Sequence, residues 1–204
     1  MQEIDRGRNW RSMGKSIKGS KTEKNLLAAF AGESQARNRY TYFASAARKE
    51  SLEQIAHIFL ETAENEKEHA KVFFKHLEGG AVEITASYPA GVIADTASNL
   101  MEAASGEKLE WSTLYRDFEE IARDEGFPEI ANSFAQIAKV EMFHEGRYRK
   151  LIKNIENKEV FKKKTSAKWH CMNCGYIFEG TEAPAECPAC KHPQSYYEVL
   201  AENY

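Results

Sequence analysis

Glu61-Thr-Ala-Glu-Asn-Glu-Lys-Glu-His-Ala70 and Val140-Glu-Met-Phe-His144 carry one pattern twice: Glu-x-x-His, at Glu66/His69 and at Glu141/His144. Residues three apart share one side of a helix. Around the second pair an apolar stripe runs Ile130, Phe134, Ile137, Glu141, His144, Tyr148, Leu151, Ile155; around the first it runs Ile55, Phe59, Thr62, Glu66, His69, Phe73. Steps of four and three mark the seam of a packed helix. Both pairs are therefore expected in a core.

Two more seams supply carboxylates. An upstream helix offers Leu26, Phe30, Glu33, Tyr40, Ala44 and Ala47, with Arg37 breaking the pattern; a helix between the pairs offers Glu107, Glu110, Leu114, Phe118 and Ile121. Glu66 follows Glu33 by 33 residues and Glu141 follows Glu107 by 34, which predicts two related hairpins joined by a long crossover. Ser20-Lys-Thr-Glu23 is a capping box that opens the first helix, ending at Lys49. The second is expected over 52–77, before Gly79-Gly80. The crossover contains Pro89 and Gly91 and a short helix over 96–104. The third helix covers 105–125, and the fourth starts on Pro128, a good first-turn residue, and runs to Asn154.

A lone glutamate in a helix is usually solvated, and a lone core histidine is usually just hydrogen-bonded. Glu33, Glu66, Glu107, Glu110 and Glu141 share buried seams, however, and an unpaired buried carboxylate costs several kcal/mol. Bound cations remove that cost. One glutamate from each of two helices, with Glu-x-x-His from each of the other two, is the ligand set of a carboxylate-bridged di-metal site in a four-helix bundle. Oxygen ligands with two imidazoles favour iron or manganese. Glu66 and Glu141 are expected to bridge, with Glu33 and Glu107 terminal and His144 on one metal. Glu110 is surplus, because the first helix has Ala36 at the matching place. A spare ligand points to coordination that changes with redox state.

Past Asn157 the helical period stops. Lys162-Lys-Lys-Thr-Ser166 reads as a charged linker, within a linker over 157–166, and a loop-rich domain over 167–204 follows. A unit so small needs a metal or disulfides. Cys171-Met-Asn-Cys174 and Cys187-Pro-Ala-Cys190, with 12 residues between them, are two knuckles that together close a tetrahedral all-sulfur site. Zinc at this spacing is structural; iron makes a one-electron carrier. Trp169, Tyr176, Phe178, Tyr196 and Tyr197 either shield the metal or form a mini-core.

The chain has 204 residues and a net charge of −3. Nothing in that balance indicates nucleic acid or a membrane surface as partner, and no apolar run is long enough for a transmembrane helix. The Arg-rich start lacks the apolar stretch of a secretory signal, so a cytoplasmic location and reduced cysteines are expected. Residues 1–19 are expected to be a poorly ordered extension, with Met13 a candidate natural start.

From Lys15 to Tyr204 the chain resembles the rubrerythrin family. The matching stretches are Ala31-Gly-Glu-Ser-Gln-Ala-Arg37, Glu61–Ala70, Gly106-Glu-Lys-Leu-Glu110, Val140–His144 and Cys187-Pro-Ala-Cys190. The resemblance implies a mainly α protein: a ferritin-like four-helix bundle over 20–156 joined to a small rubredoxin-like domain. It implies a di-iron site, one further iron on the four thiolates, and reduction of hydrogen peroxide to water in oxidative-stress protection. Electrons would come from reduced pyridine nucleotide through an external redox protein, within a head-to-tail homodimer. It also implies that His69 and Glu110 trade places on one iron and that Tyr40 and Tyr115 hydrogen-bond ligand carboxylates. Zinc can occupy such sites when iron is scarce. The competing functions are ferroxidation or iron storage, and a zinc-stabilised binding module. Storage needs neither a spare ligand nor an electron relay, and a binding module leaves the buried carboxylates unexplained.

Overall fold

The computed structural model describes residues 15–203, so the expectations for the first 14 residues lie outside it. Helix α1 spans Lys21–Lys49 and α2 spans Glu53–His76, turning through Ser51 in the left-handed region (φ 61°). An extended, exposed crossover leads to α3, Thr96–Leu109, then a π-helical turn, Glu110–Leu114, then α4, Tyr115–Asp124. Helix α5, Pro128–Glu156, completes the second hairpin. Strands β1 (Lys162–Cys171), β2 (Ile177–Glu182) and β3 (Tyr197–Val199) form an antiparallel sheet in the order β2-β1-β3. No helix among the described residues is long and apolar enough to cross a membrane.

Three expectations are corrected. Residues 15–19 are not a loose extension: Ile17 is buried, and its N–H and the Ser16 hydroxyl both donate to the Glu78 carboxylate (3.0 and 2.6 Å). The short helix over 96–104 is not separate from the third helix, because α3 passes through both and continues via the π turn into α4. Lys162–Ser166 belongs to β1, with Lys162 paired to Glu182 across a register shift. Its uniformly polar composition hides an exposed strand segment.

Helix α1 starts as its sequence directs. Ser20 Oγ accepts from the N–H of Glu23 (3.0 Å), while the Glu23 carboxylate accepts from Gly19 (2.7 Å). The Ser20 N–H is already taken by the carbonyl of Ile17. The two hairpins enclose two apolar clusters. One contains Tyr40, Phe43, Phe59, Leu100 and Tyr148; the other contains Leu26, Phe73, Tyr115, Ile130 and Phe134. Burying each such side chain contributes about 1.5–3 kcal/mol. That apolar burial supports the polar layer of Glu-x-x-His residues in the same seams.

Candidate metal centres

Glu33, Glu66, Glu107, Glu141 and His144 are each no more than 1% exposed, and His69 is 8% exposed. Their ligand atoms converge in two overlapping groups, Glu33/Glu66/His69/Glu141 and Glu66/Glu107/Glu141/His144, each within 4.8 Å. Glu66 and Glu141 belong to both groups, the place of bridging carboxylates; Glu33 and Glu107 each belong to one. His69 Nδ1 lies 2.8 Å from Glu66 and 2.9 Å from Glu141; His144 Nδ1 lies 2.9 Å from Glu141 and 3.3 Å from Glu66.

These short contacts are not well-directed hydrogen bonds. Both oxygens of Glu66 and of Glu141, Oε2 of Glu107 and Nδ1 of both histidines have no hydrogen-bond partner among the described residues. Buried polar atoms are normally satisfied. Here the orphans are the atoms that two cations would bind, so the residues fit a di-metal centre.

The electrostatics agree. Burial, then the charges of Glu141 and Glu66, pushes the Glu33 carboxyl up to about 8. Burial and neighbouring carboxylates also hold Glu107 and Glu110 well above the usual carboxylate range. For Glu141, burial is outweighed by the two histidines, which pull it down to about 2. Protons here substitute for part of the charge that metals would neutralise.

Two tyrosines brace the centre crosswise. Tyr40 on α1 donates to Glu107 Oε1 on α3 (2.6 Å), and Tyr115 on α4 donates to Glu33 Oε1 on α1 (2.5 Å). Each hairpin thus holds the other's terminal glutamate. Glu33 and Tyr40 are seven residues apart, but Glu107 and Tyr115 are eight apart; the π turn absorbs the extra residue. Such turns concentrate at functional sites. This one begins on Glu110, which lies outside both ligand groups, half-buried, within the fields of Glu33, Glu141 and Glu66, with Arg39 offsetting part of that charge.

Asn65 was not legible as functional. Its Oδ1 lies 3.3 Å from His144 Nε2, so it fixes the ring with Nδ1 facing the cluster. Nε2 of His69 has no such partner among the described residues, which leaves His69 the freer imidazole.

In the small domain the four sulfurs converge, with Cys171–Cys190 at 3.8 Å and Cys174–Cys187 at 3.7 Å. A tetrahedral site with metal–sulfur bonds of about 2.3 Å requires edges of about 3.8 Å. The backbone N–H of His192 holds the Cys190 thiol down at about 6. Gly175 (φ 80°) and Lys191 (φ 63°) make the matching turns after the two knuckles. Trp169 fills the mini-core and donates to the Gly180 carbonyl (2.9 Å).

The sequence profile of rubrerythrin matches residues 24–152, and that of the rubrerythrin rubredoxin-like domain matches 169–198. The chain belongs to the rubrerythrin family. It is 60% identical to the rubrerythrin of Porphyromonas gingivalis over 94% of this chain and 96% of that one. It is 55% identical to the rubrerythrin of Nitratidesulfovibrio vulgaris over 93% of this chain and all of that one. Partially reduced nigerythrin superposes with a TM-score of 0.60 at 29% identity, covering 98% of this chain and 100% of that chain. The architecture is accordingly a ferritin-like bundle followed by a rubredoxin-like domain, with residues for a di-metal centre and a four-cysteine centre both in place.

Proposed function

We propose that this rubrerythrin-family chain is a non-haem di-iron peroxidase that reduces hydrogen peroxide to water. The observation that carries it is Glu110, a surplus carboxylate on a π turn beside a complete ligand set, in a chain that also carries a four-thiolate site. Glu33, Glu66, His69, Glu107, Glu141 and His144 would hold two irons, and Cys171, Cys174, Cys187 and Cys190 a third. When bound as a ferrous pair, the bundle irons supply the two electrons that the O–O bond requires.

The chain's own residues do the rest. Asn65 keeps the His144 ring fixed, while His69, which has no such brace at Nε2, would be the imidazole to give way to Glu110 on a more highly charged centre. A carboxylate offsets the added charge in a buried site better than a neutral imidazole does. Tyr115 holds its proton at the hydroxyl shared with Glu33, and Glu110 holds one at its buried carboxyl. The apolar clusters keep bulk water away.

Gln54 Nε2 reaches Glu198 at 3.5 Å, so the small domain meets its own bundle near the start of α2. Gln54 and Glu66 lie 12 residues apart on α2, about 18 Å along a helix. We propose that an external redox protein reduces the thiolate-bound iron and that this iron passes electrons to the bundle of a second, head-to-tail subunit.

The test is anaerobic steady-state turnover of iron-loaded protein with hydrogen peroxide and a reducing chain. Peroxide-dependent oxidation of the donor is expected. Slow donor oxidation accompanied by accumulation of mineral iron would instead mark a ferroxidase or storage protein.

A further inference from the structure

The crossover lays Ala86-Ser-Tyr-Pro89 over a cavity of about 120 Å³. Tyr88 and Pro89 of the crossover line it together with Glu110 and Tyr115 of the second hairpin. Tyr115 is the residue whose hydroxyl meets Glu33, so the cavity runs from the strap to the edge of the metal centre where the surplus carboxylate stands. Liquid water occupies about 30 Å³ per molecule. The cavity is smaller than the apolar cavity of about 150 Å³ that accommodates a bare benzene ring, and is tight for an aryl group carrying alkyl substituents.

Gly32 and Gly106 line its sides, each one residue before a terminal glutamate. Both lie inside helices, where glycine costs about 1 kcal/mol relative to alanine. A Cβ at Gly32 would come within 3.6 Å of the Tyr88 ring, and one at Gly106 within 3.5 Å of the Arg39 guanidinium. Those are ordinary contacts, so a clash does not explain the glycines. What an added methyl would remove is open space. The Tyr88 hydroxyl donates to the Ala28 carbonyl (3.1 Å) and ties the strap to α1 at the mouth of the cavity.

We propose that Tyr88 is a specificity-determining residue, closing the mouth of a passage that admits hydrogen peroxide and excludes hydroperoxides with bulky alkyl or aryl groups. This rests on the peroxidase reading. The chemistry is the same for either substrate: ROOH takes two electrons from the reduced centre and two protons, the O–O bond breaks, and ROH and water leave. Only the size of R is selected.

The test uses full-length, iron-loaded protein, the Tyr88→Ala and Gly32→Ala variants, and two readouts. One is kcat/KM for hydrogen peroxide and for cumene hydroperoxide. The other is the rate of azide binding to the oxidised centre, followed by absorbance. Tyr88→Ala is expected to raise the cumene-to-hydrogen-peroxide ratio about tenfold or more and to speed azide binding. Gly32→Ala is expected to slow azide binding while raising the thermal midpoint, because alanine favours the helix. If both variants keep the parent's ratio and azide rates, the cavity merely accommodates movement of Glu110 and the proposal is overturned. If the parent reduces no peroxide, the peroxidase reading fails, and the azide rates still decide whether Tyr88 closes a passage.

Discussion

The Tyr115 hydroxyl lies 2.5 Å from Oε1 of Glu33, 82 residues away in the chain, and ties the second hairpin to a ligand of the first. Burial comes first among the causes that hold this phenol well above its ordinary pKa, followed by the charges of Glu33 and Glu110. It therefore remains a donor. Tyr115→Phe leaves a buried carboxylate oxygen without its partner, at a cost of about 1–3 kcal/mol. Thermal unfolding of the metal-free variant is expected to show that loss. An unchanged midpoint would mean that the bond contributes nothing.

Glu110→Ala keeps all six residues of the two ligand groups. Iron binding, counted by metal analysis, is expected to match the parent. A single reaction with peroxide is expected to persist, while steady-state turnover falls roughly 10–100-fold, the range seen when groups supporting metal ligands are removed. Turnover at the parental rate would show that Glu110 takes no part in cycling.

The core of this site was legible because burial, periodicity and charge conflict there. Glu66, His69, Glu141 and His144 stand where a helix seam demands apolar residues, and the structure places all four in the ligand groups. The cysteine knuckles were legible for a similar reason, since a domain of that size cannot bury enough apolar surface without a metal or disulfides. The π turn was missed, although its trace is the eight-residue step from Glu107 to Tyr115. Helical periodicity tolerates a drift of one residue and does not flag it. Lys162–Ser166 was misread because an exposed strand rich in lysine has the composition of a linker. The docking of Ile17 depends on Glu78, a partner 61 residues away that no local pattern reveals.

The metal-free bundle is expected to lose stability as pH rises. Glu33 is raised from 4.5 to about 8. His144 is raised from 6.5 to about 9, because Glu141 and Glu66 outweigh the burial that opposes its charge. Groups raised in the fold stabilise it below their unfolded pKa, and that contribution is lost as pH passes the folded value. The loss thus falls between about 4.5 and about 9. Glu141 has the opposite sign, and its contribution disappears as pH falls from 4.5 toward about 2. Metal binding displaces the protons on Glu33 and His144, so the loaded protein is expected to hold its midpoint over the higher range. A metal-free midpoint that climbs across that range would contradict these signs.

Cys174→Ser removes one thiolate from the small domain and nothing from the bundle. The bundle is expected to fold and load two metals, while the small domain loses protection in hydrogen exchange, because metal binding there is folding free energy. Peroxide-dependent oxidation of an external donor is expected to vanish. Survival of that activity at the parental level would remove the relay role of the four-cysteine site.

The most direct measurement is an anaerobic titration of fully reduced, iron-loaded protein with hydrogen peroxide, following the absorbance of the thiolate-bound iron alongside that of the bundle. If the bundle reduces peroxide by two electrons and the small domain feeds it, every iron is oxidised. The endpoint then falls at half as many peroxide molecules as iron atoms, and colour develops at the thiolate site only when the bundle is loaded. Thiolate-bound iron that stays reduced after the bundle is spent, or that oxidises equally fast with the bundle empty, would contradict the account.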